Sequence, residues 1–427
     1  MIQAWNIALS LLTAGLLWQH DVFATELRVK SFVSQAWLER HDIQSRLHDD
    51  APLTGDVELR FMTDTQRGAW SLTWHHTATW QAGDDLAFAR ALGLNRGGDG
   101  LRGANTGDAH QLLDLSDTTD DGDRHQFDHR VERLNATWRG EVWSVTAGRE
   151  ALSLGGGILF HPMDFLSPFA PTTVDKDFKA GEDLVHVHRQ MQGGEVSLLV
   201  VGRRDNEREI TRDAASIAAK GRWQLGMTEF EGLVADHHDE FTTAIGVRLP
   251  IGGALLRTDV VVTRTLGELE VSAVANLDFS TTLADKLVYT FVEYYHNGFG
   301  IRKLSPGRPL PTTLERRLAR GEVYTLMRDY LGVGGTIQWH PLVTQSLSLV
   351  RNLDDDSMFL QGGRQFDISD HQNFEAGLLV MMGDAGDEFG GKPLAIDQEG
   401  ELITAGTGTR VYLRWTWFPR FAEINRN

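Results

Sequence analysis

A chain of 427 residues with no cysteine has no disulfide framework, no thiolate metal site and no thiol nucleophile. Its formal net charge of -18 argues against a nucleic-acid partner. The length suits either two or three ordinary domains or one large closed sheet.

Ile7 to Trp18 is almost uninterrupted apolar. At about twelve residues it is too short to span a bilayer as a helix, but right for the hydrophobic region of a secretory signal. Val22-Phe23-Ala24 supplies a small-residue cleavage site. The expected division is residues 1–24 as signal peptide and 25–427 as a single domain. No later run reaches about 18 apolar residues, which excludes helical membrane spans.

Beyond the leader the chain repeats a period-two pattern. Val57, Leu59 and Phe61 alternate with Glu58 and Arg60; Trp70, Leu72 and Trp74 alternate with Ser71, Thr73 and His75. Leu134, Ala136 and Trp138 alternate with Arg133, Asn135 and Thr137, Arg139-Gly140 reverses the chain, and Trp143, Val145 and Ala147 continue, which is a β-hairpin with one apolar face. Gly155-Gly156-Gly157 and the prolines Pro162, Pro168 and Pro171 then forbid a regular strand or helix, so the chain travels as an ordered loop until alternation resumes at Asp183. The pattern returns in Phe241 to Leu249, Leu269 to Phe279, Phe374 to Met382 and Val411 to Trp417. An acidic stretch, Asp114 to Asp123, reads as a solvated loop; its spacing is not that of an EF-hand, so no metal site is expected.

About eighteen such segments are found, with sixteen as the alternative count. They start near residues 29, 56, 68, 130, 141, 183, 194, 218, 228, 241, 254, 268, 285, 331, 343, 357, 373 and 409. Every even-to-odd link is short and most odd-to-even links are long. The expected fold is therefore all-β: a transmembrane antiparallel β-barrel with both termini periplasmic.

Facing follows from cost. Arg410 and Arg414 share a face opposite Val411, Leu413, Trp415 and Trp417. A lipid-facing Arg costs about 2 to 4 kcal/mol near the midplane, so the arginines face the lumen. The same parity puts Glu58, Arg60, Arg133, His186, His188, Arg248, Arg257, Glu270 and Asp278 inside. Residues 285 to 295 are apolar on both faces, and their parity is unreadable.

The stretch from Gly148 to Val185, GREALSLGGGILFHPMDFLSPFAPTTVDKDFKAGEDLV, resembles the Gly-Arg-x-x-Leu-x-x-Gly-x-Gly, Phe-x-Pro-x-Asp-x-x-x-Pro-Phe signature of porin-like outer-membrane barrels related to the alginate export family. Arg149, Asp164, Pro168, Phe169, Asp175 and Lys179 carry the likeness. It implies a channel, in some members passing anionic polysaccharide through an Arg-lined pore, and gives Arg149, Asp164, Asp175 and Lys179 a place in the pore or its constriction.

The loop from Gly155 to Asp183 has two readings: an inward-folded constriction or an extracellular lid on the rim. Arg302, Arg316, Arg317, Arg320 and Arg328 form a locally cationic segment suited to carboxylate or phosphate groups of a polymer or of lipopolysaccharide, with a solvated, internally paired loop as the other reading. His161, His186, His188 and the Asp236–Asp239 cluster come with no G-x-S-x-G or H-E-x-x-H motif, so neither catalysis nor a cofactor is expected. The expected function is an outer-membrane channel for a hydrophilic solute, anionic or polymeric among the options. The alternative is a plugged structural or adhesive barrel whose long loops bind a surface partner.

Overall fold

The computed structural model describes residues 22–92, 108, 110–205 and 207–419. In chain order the strands are β1 (Val22–Trp37), β2 (Leu53–Arg67), β3 (Trp70–Gly83), β4 (Ser116–Gly122), β5 (His125–Arg139), β6 (Trp143–Glu150), β7 (Glu182–Met191), β8 (Gly194–Val201), β9 (Ser216–Leu225), β10 (Thr228–His237) and β11 (Glu240–Ile251). There follow β12 (Ala254–Thr265), β13 (Glu268–Leu283), β14 (Lys286–His296), β15 (Asp329–His340), β16 (Val343–Asn352), β17 (Met358–Ser369), β18 (Gln372–Met382), β19 (Lys392–Ile396), β20 (Leu402–Ala405) and β21 (Thr409–Trp417). The main sheet has 19 strands, of which β4 is an arm paired only with β5; the remaining eighteen form a closed antiparallel ring. Closure is made by β21, which pairs with β18 on one side and with β1 on the other, from Val29↔Trp417 to Trp37↔Thr409. A ring has no unpaired edge, so every strand hydrogen bond is satisfied within the wall.

The side chains explain why this sheet sits in lipid. In β2 the apolar residues Val57 and Leu59 are 38% and 46% exposed, while Glu58 and Arg60 between them are 7% and 5% exposed. This inverts the order of a water-soluble protein and is that of a barrel whose outer face meets hydrocarbon. Outward aromatics gather near the two rims: Trp70, Trp143, Trp223 and Trp339 at one, Trp37, Trp80, Phe241 and Tyr294 at the other. β14, unreadable in sequence, has Glu293 and Tyr295 inside and Val292 and Tyr294 outside.

All eight connections at one rim are tight turns. Gly252-Gly253 shows why: both residues have positive φ, 57° and 92°, which a two-residue hairpin turn demands. Val22 of β1 and Trp417 of β21 lie at this same rim, next to Gln66 and Gln372 respectively. The opposite rim carries the long connections, including helices Asp84–Ala91 and Thr312–Arg320 and the β19–β20 ribbon. One sequence expectation needs correcting. Within the acidic stretch, residues 116–122 are not a loop: β4 pairs with β5, with Thr118 donating to Asp128. Val22 to Ala24, expected to leave with the signal peptide, pair with β2; the rest of that expected leader, residues 1–21, lies outside the described residues.

Candidate functional site: a collar inside the barrel

Residues 151–181, between Glu150 at the end of β6 and Glu182 at the start of β7, run inside the ring. Glycine and proline deny this segment a ladder of its own, so its backbone is satisfied by carboxylates projecting from the wall. The Gly156 amide donates to Asp259 of β12 at 2.7 Å, and Asn276 of β13 donates to the Gly156 carbonyl at 3.2 Å. Three consecutive amides, of Ile158, Leu159 and Phe160, donate to the Glu293 carboxylate of β14 at 2.6, 2.8 and 2.9 Å. Phe160 stacks on Tyr295, ring centroids 4.5 Å apart. Gln361 of β17 donates to the Thr172 carbonyl at 3.3 Å. Asp175 then accepts from Lys30 of β1 and, at 3.2 Å, from Arg414 of β21. Asp177 accepts from Arg28 of β1 at 3.0 Å, and the Phe178 ring lies against the guanidinium groups of Arg28 and Arg60 at 4.3 and 4.1 Å. Finally Arg133 of β5 donates to the Lys179 carbonyl at 2.5 Å.

Taken in order, the contacts go round the inner wall and return to where they began. The segment is a collar, not a lid on the rim. On its long-loop side the interior is filled by an apolar cluster that includes Phe160, Tyr295, Leu314, Tyr330 and Phe389. Toward the short-turn rim Ser280 to Leu283 of β13 are all exposed, so the inner face there meets water.

Charge pairing in this interior is nearly complete. Arg28 and Arg60 share Glu58 at 2.9 and 3.3 Å; Arg414 meets Glu375 at 2.5 Å; Arg410 meets Asp85 at 2.8 Å; Arg248 and Lys220 share Glu231 at 2.9 and 2.8 Å; Arg257 bonds Asp278. His186 is half-buried, and His188 Nδ1 lies 3.2 Å from Ser197 Oγ. Within the collar Asp164 is bound to Lys179. Burial pushes the Asp164 carboxyl up and the Lys179 amine down, and their attraction to one another opposes both shifts. Lys176 stands apart. It sits between two aspartates fixed to the wall, is exposed, and has no ion pair among the described residues. Desolvation lowers its amine, and Glu293 opposes this from β14. Lys176 is thus exposed and left without a carboxylate partner among the described residues. His161, in the same collar, is pushed down to about 4 by burial and then by Lys176 and Lys179, so it is neutral at neutral pH.

Arg149, which the motif resemblance placed in the pore, is 0% exposed. It donates to Asp183 at 2.9 and 3.0 Å, to Asp108 at 2.6 Å, and to the carbonyls of Val131 and Leu113 at 3.0 and 2.6 Å. With its fork committed in this way it ties the segment before β4 to the wall and offers nothing to a solute. The cationic segment after β14 also divides. Arg317 is buried against Glu240 at 2.5 Å with Phe299 under its guanidinium, and Arg320 bonds Glu322 at 2.5 and 3.0 Å. The Glu322 carboxyl is held well below the usual range because His237 and Arg320 outweigh its burial. Arg302 and Arg316 are exposed, and Arg328 donates to the Gly300 carbonyl at 2.8 Å. Among the described residues one group has metal-ligand geometry, His237, His238 and Glu322. Its Glu322 is occupied by Arg320, so it is not a metal centre by donor chemistry. Sequence reading missed Arg28, Lys30, Asp259 and Glu293, the wall residues that hold the collar; an inward carboxylate on an otherwise apolar strand was the available signal for Glu293.

No family model matches the chain, and no curated protein sequence does. Solved structures match over nearly all of it. A BenF-like porin from Pseudomonas fluorescens Pf-5 is similar with a TM-score of 0.53 and 8% identity, covering 93% of this chain and 99% of its own. Pseudomonas aeruginosa OpdK, solved with vanillate, gives 0.51 and 9%, covering 94% and 99%. Pseudomonas aeruginosa OccK2 (OpdF), in complex with glucuronate, gives 0.51 and 7%, covering 94% and 99%. The likeness is one of fold: this chain has the architecture of a bacterial outer-membrane porin, an eighteen-stranded barrel.

Proposed function

We propose that the chain is an outer-membrane channel passing a small hydrophilic carboxylate through a lumen narrowed by the collar at residues 151–181. The observation that carries this is Lys176. The wall arginines Arg28, Arg60, Arg248, Arg257, Arg410 and Arg414 each meet a carboxylate, whereas Lys176 in the collar is exposed and has no ion pair among the described residues. The named ligands of two similar barrels, vanillate and glucuronate, are themselves small carboxylates, which supports the reading. In it the short-turn rim faces the periplasm and the long loops face outward among lipopolysaccharide. The Gly148–Val185 motif and its likeness to alginate export proteins make an anionic polysaccharide the other cargo. A leader of residues 1–24 is the proposed route to the membrane; sequencing the mature N-terminus tests it, since Val22 to Ala24 also pair in β1.

The test is a reversal potential in planar bilayers under a KCl gradient. Wild type is expected to prefer chloride, and Lys176→Glu to lose or invert that preference with the barrel still folded. An unchanged reversal potential refutes the role of Lys176. A folded protein that does not conduct favours the second reading, a plugged adhesive barrel, for which the apolar packing at the long-loop end is the supporting observation.

A further inference from the structure

The outer mouth holds a second cationic feature, built unlike the lumen. A cavity of about 1230 Å³ opens between the β12–β13 turn, the segment from Gly298 to Thr313 and the start of β19. Arg302, Lys303, Arg308, Arg328 and Lys392 line it, against two carboxylates, Glu268 and Glu270. In the lumen Arg28, Arg60, Arg248, Arg257, Arg410 and Arg414 each have a carboxylate at hydrogen-bond distance. Here Lys303, Arg308 and Lys392 have no side-chain hydrogen bond or ion pair among the described residues, and Arg302 reaches Asp354 only at 3.6 Å. The walls between the cations are apolar, with Phe299, Leu304 and Leu310 on the cavity. Cations left unpaired beside an apolar floor demand a ligand with both features: an anionic group for the charges and an apolar body for the floor.

We propose that this cavity is a binding site for amphipathic carboxylates, an outer station that the solute occupies before it meets the collar. The binding rests on the loop geometry alone and does not require an open pore, whereas the word station rests on the channel reading above. The charge alone does not hold the ligand, because exposed cations in water contribute little singly. The body alone does not hold it either, since the apolar floor is rimmed by hydrated charge.

Isothermal titration on the full chain in detergent tests this with three probes: 3-phenylpropionate, acetate and 3-phenylpropanamide. The first is expected to bind at least about tenfold more tightly than the other two. The triple substitution Arg302→Gln, Lys303→Gln and Arg308→Gln, all at exposed positions, should weaken phenylpropionate by about tenfold or more, while Arg351→Gln, an exposed cation of β16 outside the cavity lining, should leave it unchanged. Leu310→Asn should weaken phenylpropionate and not acetate. Equal binding of acetate and phenylpropionate overturns the proposal, as does a triple variant that binds like wild type, or binding weakened as much by Arg351→Gln. A membrane lipid as occupant would show as phenylpropionate binding only after exhaustive delipidation. That result overturns the solute station and assigns the cavity to a lipid headgroup. Failure of the channel reading shows separately, as absent conductance with titration unaffected.

Discussion

Replacing Glu293 by Gln removes one negative charge and half the acceptor capacity from the point where the collar is most tightly held. Oε1 accepts from Leu159 and Phe160, and Oε2 accepts from Ile158 and Asn276. A glutamine can keep its oxygen toward one pair but must turn an NH2 toward the other, leaving the Ile158 amide facing a donor. Hydrogen bonds to a charged group contribute about 1.5–3 kcal/mol and neutral ones about 1, so the two retained bonds lose roughly 2 kcal/mol together. The orphaned amide adds about 1–3 kcal/mol, giving a total near 4 kcal/mol, or roughly a thousandfold in the equilibrium for releasing this part of the collar. The barrel wall is untouched, because β14 keeps its pairing with β13 and β15. Single-channel recordings of Glu293→Gln should therefore show a frequent higher-conductance state that wild type visits rarely. The unboiled protein should migrate on a denaturing gel as wild type does. A variant with wild-type conductance and no added flicker would mean that the three amides do not hold the collar, and the argument would fail.

Leu413, 51% exposed on the outer face of β21, should not tolerate charge: Leu413→Arg is expected to cost about 2–4 kcal/mol near the midplane and to lower the assembled fraction, read as heat-modifiable protein in membranes. Assembly at wild-type level would overturn the facing assignment. The neutral His161 makes the collar sensitive to acid. Its folded value near 4 lies below the ordinary 6.5, so the docked collar keeps its full stability above pH 6.5 and loses it as pH falls toward 4, by roughly 3 kcal/mol in all. Flicker should rise across that window, and His161→Gln should abolish the rise, because burial raises the Asp164 carboxyl and its protonation favours the docked collar instead; an unchanged pH profile in the variant would refute the assignment.

The wall was legible in the sequence because alternation is a local signal. Val57 and Glu58 declare opposite faces whatever lies across the barrel, and Gly252-Gly253 declares a turn. β14 resisted because Tyr295 and Phe291 face inward to meet aromatic residues of the collar and loops, so apolar residues occupy both faces. The acidic stretch misread as loop finds its partners in Asp128 and His129 of β5, a pairing with no pattern of its own. Parity showed that Arg414 and Arg60 turn inward, but not which carboxylate neutralises each. The Asp175 to Arg414 contact joins residues 239 apart in sequence, and no spacing rule reaches that far. Arg149 shows the converse limit: a motif marks a residue without saying whether its partner is solute or protein.

Asp175 bonds Lys30 of β1 and Arg414 of β21, and so straddles the joint where the first and last strands of the ring meet. The collar is complete only when that joint is shut. Until the last strand has arrived, half of the Asp175 socket does not exist, and the segment has no wall to follow on that side. Closing the ring and seating the collar are thereby one event: the same aspartate that anchors the collar acts as a clasp across the seam, slowing the ring from reopening once it has closed.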